Sequence, residues 1–174
     1  DRQYDKAIIE LIKAESVAEN SDSLYMGLAK VLQANIHSVN YDKVSEIEKL
    51  FEALNIYSDI QADNYISVVR HRIARALINN KKYDEAKEQF DLYLKKTISI
   101  DQDEYRFAQY NIAYIFWNKQ EYQNSAYWFR KYEKIEKVNP VMRLDALNRI
   151  GDCYFLQRSF DQALSSYNQS IEIG

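Results

Sequence analysis

Ile150-Gly151-Asp152-Cys153-Tyr154-Phe155-Leu156-Gln157-Arg158-Ser159-Phe160-Asp161-Gln162-Ala163 places a small residue beside an apolar one, an aromatic one helical turn later, and an aromatic-Asp-x-Ala box after a short polar break. This order describes two helices crossing. Gly151 lets the second helix come close, Tyr154 fills the space beside it, and Ala163 is the matching small residue on the partner. Related boxes stand upstream: Tyr4-Asp5-Lys6-Ala7, Tyr41-Asp42-Lys43-Val44, Tyr83-Asp84-Glu85-Ala86 and, more loosely, Tyr122-Gln123-Asn124-Ser125. Their aromatics, at 4, 41, 83, 122 and 160, are 37, 42, 39 and 38 residues apart. A period of that size is the mark of stacked helix pairs.

Composition agrees. Three Gly and one Pro among 174 residues are too few for the many turns of an all-β fold. A content that is 47% hydrophobic, with 15 Tyr, argues against disorder. The formal charge of −3 offers no overall attraction for a phosphate backbone. A single cysteine forms no internal disulfide and leaves the redox compartment open. No apolar run approaches the roughly 20 residues of a membrane span.

Periodicity divides the chain into nine helices, one orphan and four pairs, in a single all-α domain over 1–174 that reads as part of a longer chain. Residues 1–20 hold an orphan second helix with Ala7, Ile8, Leu11, Ile12 and Ala18 on one face. Residues 22–58 form a degenerate repeat, opening at an Asp22 or Ser23 cap, with helices over 24–38 and 41–57. Leu32 stands there where the small residue belongs, and Asn35 where the aromatic belongs. Residues 65–97 pair helices 65–79 and 83–96. A loop over 97–103, capped by Asp101 or Asp103, leads to the repeat at 104–137, with helices 104–118 and 122–137. The last repeat, 140–173, opens on Asn139-Pro140, an N-cap followed by proline at the first helical position.

The pattern of small residue, aromatic one turn on, aromatic-x-x-small and aromatic four later resembles the tetratricopeptide repeat family. It is carried best by Gly151, Tyr154, Phe160, Ala163 and Tyr167. Ala74, Leu77, Tyr83, Ala86 and Phe90 follow it, as do Ala113, Phe116, Tyr122, Ser125 and Phe129. The resemblance implies a right-handed α-solenoid of antiparallel helix pairs. Arg70, Gln109 and Leu147 replace the family's leading Trp, and the period exceeds the usual ~34 residues. Longer loops of this kind are similar to those of bacterial cell-envelope members that scaffold assembly or lipoprotein complexes, which implies a periplasmic or envelope location.

The resemblance also implies that first helices line the concave face, so their non-core residues become candidates for partner binding. These are His71, Arg72 and Arg75, then Tyr110, Asn111, Tyr114 and Trp117, then Asn148, Arg149 and Asp152. Positions 71, 110 and 148 recur at one spacing, as do 75, 114 and 152, and the two sets lie four apart on one helical stripe. Aromatic and Arg side chains dominate hot spots, and an extended peptide or a helix with acidic and apolar anchors is the expected ligand. A structural reading competes: inter-repeat core for Tyr114 and Trp117, local ion pairs for Arg72, Arg75 and Arg149, an incidental surface ring for His71, and a small hydrophobe for Cys153. Asn111 matches the central Asn of the family's carboxylate clamp, yet Asp152 beside it would repel a carboxylate.

No glycine-rich phosphate loop, zinc-binding helix motif or G-x-S-x-G elbow is present, and histidines at 37 and 71 make no paired metal site. The expectation is a non-catalytic protein-interaction scaffold with no cofactor or metal, binding a protein or peptide. The alternative is a regulatory nucleic-acid-binding or glycan-binding solenoid. It rests on Arg70, Arg72, Arg75, Lys81 and Lys82 with nearby aromatics, and the acidic total weighs against it. Apolar surface at both ends is expected to allow end-to-end self-association.

Overall fold

The computed structural model describes residues 6–13, 23–96, 102–135 and 138–173. Among these, α1 occupies 6–13, followed by α2 (Ser23–Val39), α3 (Lys43–Asp59), α4 (Asp63–Asn79), α5 (Tyr83–Lys96), α6 (Gln102–Asn118), α7 (Tyr122–Glu133), α8 (Pro140–Leu156) and α9 (Phe160–Ile173). The fold is all-α, a helical repeat of the solenoid class. Tyr4, Asp5, Ala18, Asp22 and Asp101, and the residues expected as helix at 14–19 and 136–137, lie outside the described residues. α6 starts at Gln102, so Asp103, expected as a cap, falls within the helix.

Two compact units result, Asp1–Lys96 and Thr97–Gly174. In the first, α2, α3, α4 and α5 pack in succession; in the second, α6, α7, α8 and α9 do the same. The first helices α2, α4, α6 and α8 are each 17 residues long and begin at 23, 63, 102 and 140, so the repeat is 40, then 39, then 38 residues. Among the described residues no helix is long and apolar enough to cross a membrane.

α4 shows why the pairs stack. Its buried residues are Ile66, Ser67, Val69, Ile73, Ala74, Ala76 and Leu77, more than one apolar stripe can hold. One side faces α5 and the other faces α3, so a single hairpin cannot cover both. α9 is the contrast. Only Ala163, Ser166 and Ser170 are buried on it, while Leu164 and Ile171 stay exposed.

The helices turn on one device. Tyr41, Gln61, Lys81, Gln120 and Arg158 all have φ between 54° and 61°, the left-handed region. In the last turn, Arg158 N–H donates to Phe155 O at 2.9 Å and Ser159 N–H to Tyr154 O at 2.9 Å. These are the two bonds of a Schellman motif, which satisfy carbonyls that the helix end leaves open. Neither described glycine serves there. Gly27 and Gly151 sit inside helices, where an added Cβ would come within 2.4 Å of the Tyr57 and Tyr167 rings.

The ring admitted by Gly151 is that of Tyr167, and Ala163 is buried as expected. The first pair departs from the sequence pattern yet has the same turn as the others. Tyr41 is its left-handed turn residue, 86% exposed, and the helix that was expected to open at Tyr41 opens two residues later. In that register Ala34, fully buried, holds the small position shared by Ala74, Ala113 and Gly151, while Leu32 lies exposed. Leu50, Phe90 and Phe129 fill the inner ring position. The box aromatic Phe160 is exposed and closes across the turn, edge-on to Phe155 at 5.7 Å, as Tyr122 does to Trp117 at 5.5 Å.

Candidate partner-binding face

The turn register defines equivalent positions on the first helices. On α2 these are Leu28, Leu32, Asn35 and Val39, all exposed; on α4 they are Val68, Arg72, Arg75 and Asn79. Four large aliphatic side chains, Leu28, Leu32 and Val39 on α2 and Val68 on α4, therefore face solvent in the first unit. Arg75 is exposed beside them, while Arg72 is half-buried and its guanidinium donates to Asn35 Oδ1. Burial eases Arg72 below its usual range, helped by Arg75 and opposed by Glu46. His71 points elsewhere: its ring meets Phe90 edge-on at 5.7 Å and Tyr93 at 5.8 Å, inside the α4–α5 pair. Arg70 is likewise committed, donating to Gln89 Oε1 at 2.9 Å.

In the second unit the stripe is a polar network. Asp145 Oδ2 accepts from Tyr110 Oη at 2.5 Å and from Tyr114 Oη at 2.7 Å, joining α8 to α6. Arg149 donates through Nε to Tyr114 Oη at 3.3 Å and through Nη1 to Asp152 Oδ2 at 3.1 Å. Its guanidinium carbon lies 5.4 Å from the Trp117 ring centroid and 6.0 Å from that of Tyr114. Asp152 Oδ1 accepts from Tyr167 Oη at 2.8 Å. Burial, then the Asp145 bond, raises the Tyr110 phenol strongly, and burial also raises Tyr114. Tyr167 is pushed up to about 12 by burial and its bond to Asp152. The bond to Tyr114 leads in holding Arg149 above its usual range.

The structure thus brings together Tyr110, Tyr114, Trp117, Arg149 and Asp152. Asn111 is turned to its own helix, donating to Phe107 O at 2.7 Å, and Asn148 is half-exposed on α8. Cys153 is buried, its thiol pushed up to about 11 by burial, in keeping with a packing role. Asp145 was not foreseen as the hub of the network. Its place four residues before Arg149, on the stripe of Asp152, was the available signal.

Residues 71–140 match one tetratricopeptide repeat model, and residues 144–173 match another. The chain belongs to the tetratricopeptide repeat family. No curated protein sequence matches it. BtubC (BKLC) from P. vanneervenii is similar in structure, at TM-score 0.82 and 13% identity over 98% of this chain and 73% of that one. The apo quorum sensor NprR from B. thuringiensis is similar at TM-score 0.70 and 14% identity, over 99% and 49%. NprR in complex with its cognate peptide NprX is similar at 0.58 and 16%, over 98% and 51%.

As tetratricopeptide repeats, the pairs share a rung. Arg72 and Arg149 hold one repeat position, and Asn35 and Tyr114 hold another. Each arginine bonds the first helix of the preceding repeat. The α2–α3 pair lies outside both family matches; Lys43 and Glu46 stand there at the positions of the box aromatic and the small residue, although its turn is the same.

Proposed function

We propose that this chain is a non-catalytic interaction scaffold that holds a peptide or protein segment against the exposed faces of α2 and α4. The observation that carries the reading is the run of exposed Leu28, Leu32, Val39 and Val68 with Arg75 at equivalent repeat positions. These side chains contribute little to the core, and several large apolar residues exposed at matching repeat positions are the kind of surface that interaction sites use. Aliphatic groups beside guanidinium suit a segment with apolar and acidic anchors. The NprR structure holding NprX supports peptide binding as a use of this fold. A role in assembling a bacterial envelope complex is the narrower form of the reading, supported by the 38- to 40-residue period. Self-association belongs to it too, through the exposed Leu164 and Ile171 of α9.

Labelled extended peptides with aliphatic and Asp/Glu positions test the proposal by fluorescence anisotropy. The combined variant Leu28→Ser, Leu32→Ser, Arg75→Gln should bind at least about tenfold more weakly, because truncating hot-spot side chains costs upward of ~1.4 kcal/mol in total. Its helicity and melting temperature should match the parent, since all three side chains are exposed. Unchanged binding would show that the stripe is not the interface.

A further inference from the structure

α2 keeps a heptad spacing on its exposed side. Tyr25, Leu28, Leu32, Asn35 and Val39 follow one another at three, four, three and four residues, the a and d positions of a helix seam. The core face of α2 is separate, with Gly27, Ala29, Gln33 and Ala34 as its buried residues. The four apolar members of the seam are between 40% and 61% exposed, so they are left to solvent. The other first helices do not repeat the pattern. The same positions on α4 carry Tyr65, Val68, Arg72, Arg75 and Asn79, and those on α8 include the mutually paired Asp145, Arg149 and Asp152. Arg72 joins α4 to α2 by donating to Asn35 Oδ1. Together α2 and α4 carry Lys30, Arg70, Arg72 and Arg75 against Asp63, a formal +3 with the histidines neutral. Lys30 is paired with Glu52 of α3 at 2.7 Å. Counting Glu46 of α3, which acts on Arg72, against Arg72 and Arg75 still leaves the stripe positive, and no seam position on α2 or α4 is acidic.

We propose that the α2 seam docks an amphipathic helix of another protein, with aliphatic side chains at its own a and d positions and carboxylates on the side facing Arg72 and Arg75. The inference rests on reading the exposed faces of α2 and α4 as the binding face, and it adds the conformation of the bound segment. Two observations choose a helix over an extended chain. The first is spacing. Val39 stands 14 positions after Tyr25, about 21 Å along a helix axis. A docked helix meets all five seam positions in step. Same-side residues of an extended chain are about 6.6 Å apart, so four steps reach about 26 Å and overshoot by a whole position. The second is hydrogen bonding. Of the five seam side chains only Tyr25 and Asn35 carry polar groups, and Asn35 Oδ1 already accepts from Arg72. An extended backbone pressed onto this surface would bury N–H and C=O groups without partners, whereas a helix satisfies its own. Charge then selects the partner. A second copy of α2 would supply an apolar seam, but it brings further guanidinium groups and no seam carboxylate, a like-charge juxtaposition that costs affinity.

The probe is a labelled, lactam-bridged helical peptide of about two and a half heptads, with Leu at a and d and Glu at e and g. Its controls are a version with two central prolines, which bar the helix, and a version with Lys in place of Glu. Each is titrated by fluorescence anisotropy against four forms of the full chain: the parent, Leu28→Ser/Leu32→Ser, Arg75→Gln, and Leu164→Ser/Ile171→Ser. The last removes exposed apolar side chains from α9. The Glu helix should bind the parent at least about tenfold more tightly than either control, and lose about tenfold in Leu28→Ser/Leu32→Ser. Arg75→Gln should narrow the gap between the Glu and Lys helices, and the α9 variant should bind like the parent. A proline peptide that binds as tightly as the helix overturns the inference while leaving the binding face standing. A Lys helix that binds as tightly as the Glu helix overturns it as well. An equal loss in the α9 variant reduces binding to general apolar adhesion and overturns it too. Sedimentation equilibrium showing a parent dimer that Leu28→Ser/Leu32→Ser dissolves gives the seam to a second copy, again against the proposal. Failure of every peptide to bind removes the binding face itself.

Discussion

Gly151 is where one atom decides a contact. A methyl group there would lie 2.4 Å from Tyr167 Cε1, well inside van der Waals distance. The ring must move, and its hydroxyl is tied to Asp152 at 2.8 Å, so it cannot swing away without breaking that bond. Gly151→Ala should therefore cost about 1–3 kcal/mol despite Ala's better helix propensity. At about 2–4 °C per kcal/mol for a chain of this size, thermal denaturation will show the loss. Adding Tyr167→Leu should remove most of the coupling in a double-mutant cycle. The glycine's importance was legible from the small-residue pattern, but the identity of its ring was not. Ala163 and Tyr167 share one helix face, and spacing alone does not say which side chain reaches across. Asp145 was legible only as a stripe position four residues before Arg149, and its role as a hub was not, because the phenols that bond it lie 31 and 35 residues away in sequence.

At the scale of elements, the five left-handed turns hold residues that carry a Cβ: Tyr41, Gln61, Lys81, Gln120 and Arg158. Each is strained relative to glycine, and each side chain is exposed, so truncation removes little packing. Arg158→Gly should stabilise the α8–α9 pair by about 0.5–1 kcal/mol after glycine's extra unfolded-state entropy is set against the relieved strain. Guanidinium denaturation with an unchanged slope will show it as a higher midpoint. Asn139 should act in the opposite direction. Its Oδ1 accepts from Val141 N–H at 2.9 Å, and Asn139→Ala should lose about 1 kcal/mol by the same assay. That cap was readable from Asn-Pro alone. Most helix limits were readable too, because apolar periodicity and the polar breaks agree. The α3 start was not. Tyr41-Asp42 imitates the box that elsewhere opens a second helix, and only the backbone dihedral reveals Tyr41 as the turn and Asp42 as the cap, accepting from Ser45 N–H at 3.1 Å.

For the molecule as a whole, the stripe network ties stability to alkaline pH. Tyr110, Tyr114 and Tyr167 all bind their phenolic protons more tightly in the fold than the ordinary value of 10.0, because burial and the adjacent carboxylates disfavour a phenolate. A group with a raised folded pKa contributes stability that is fully present below its unfolded pKa. As pH rises through 10.0 the open chain loses these protons first, and the fold is progressively disfavoured up to the Tyr167 value of about 12. The melting temperature should hence be insensitive to these phenols from neutral pH to about 10 and fall steeply above it. Ultraviolet absorbance should show a step of phenolate formation coinciding with the loss of helicity. Tyr110→Phe/Tyr114→Phe should be less stable at neutral pH, having lost two bonds to Asp145. Its alkaline decline should nevertheless be shallower, because two of the three titrating groups are gone. A parent chain that keeps its melting temperature beyond pH 12 would mean that the network on α6 and α8 does not hold these phenols in the folded state.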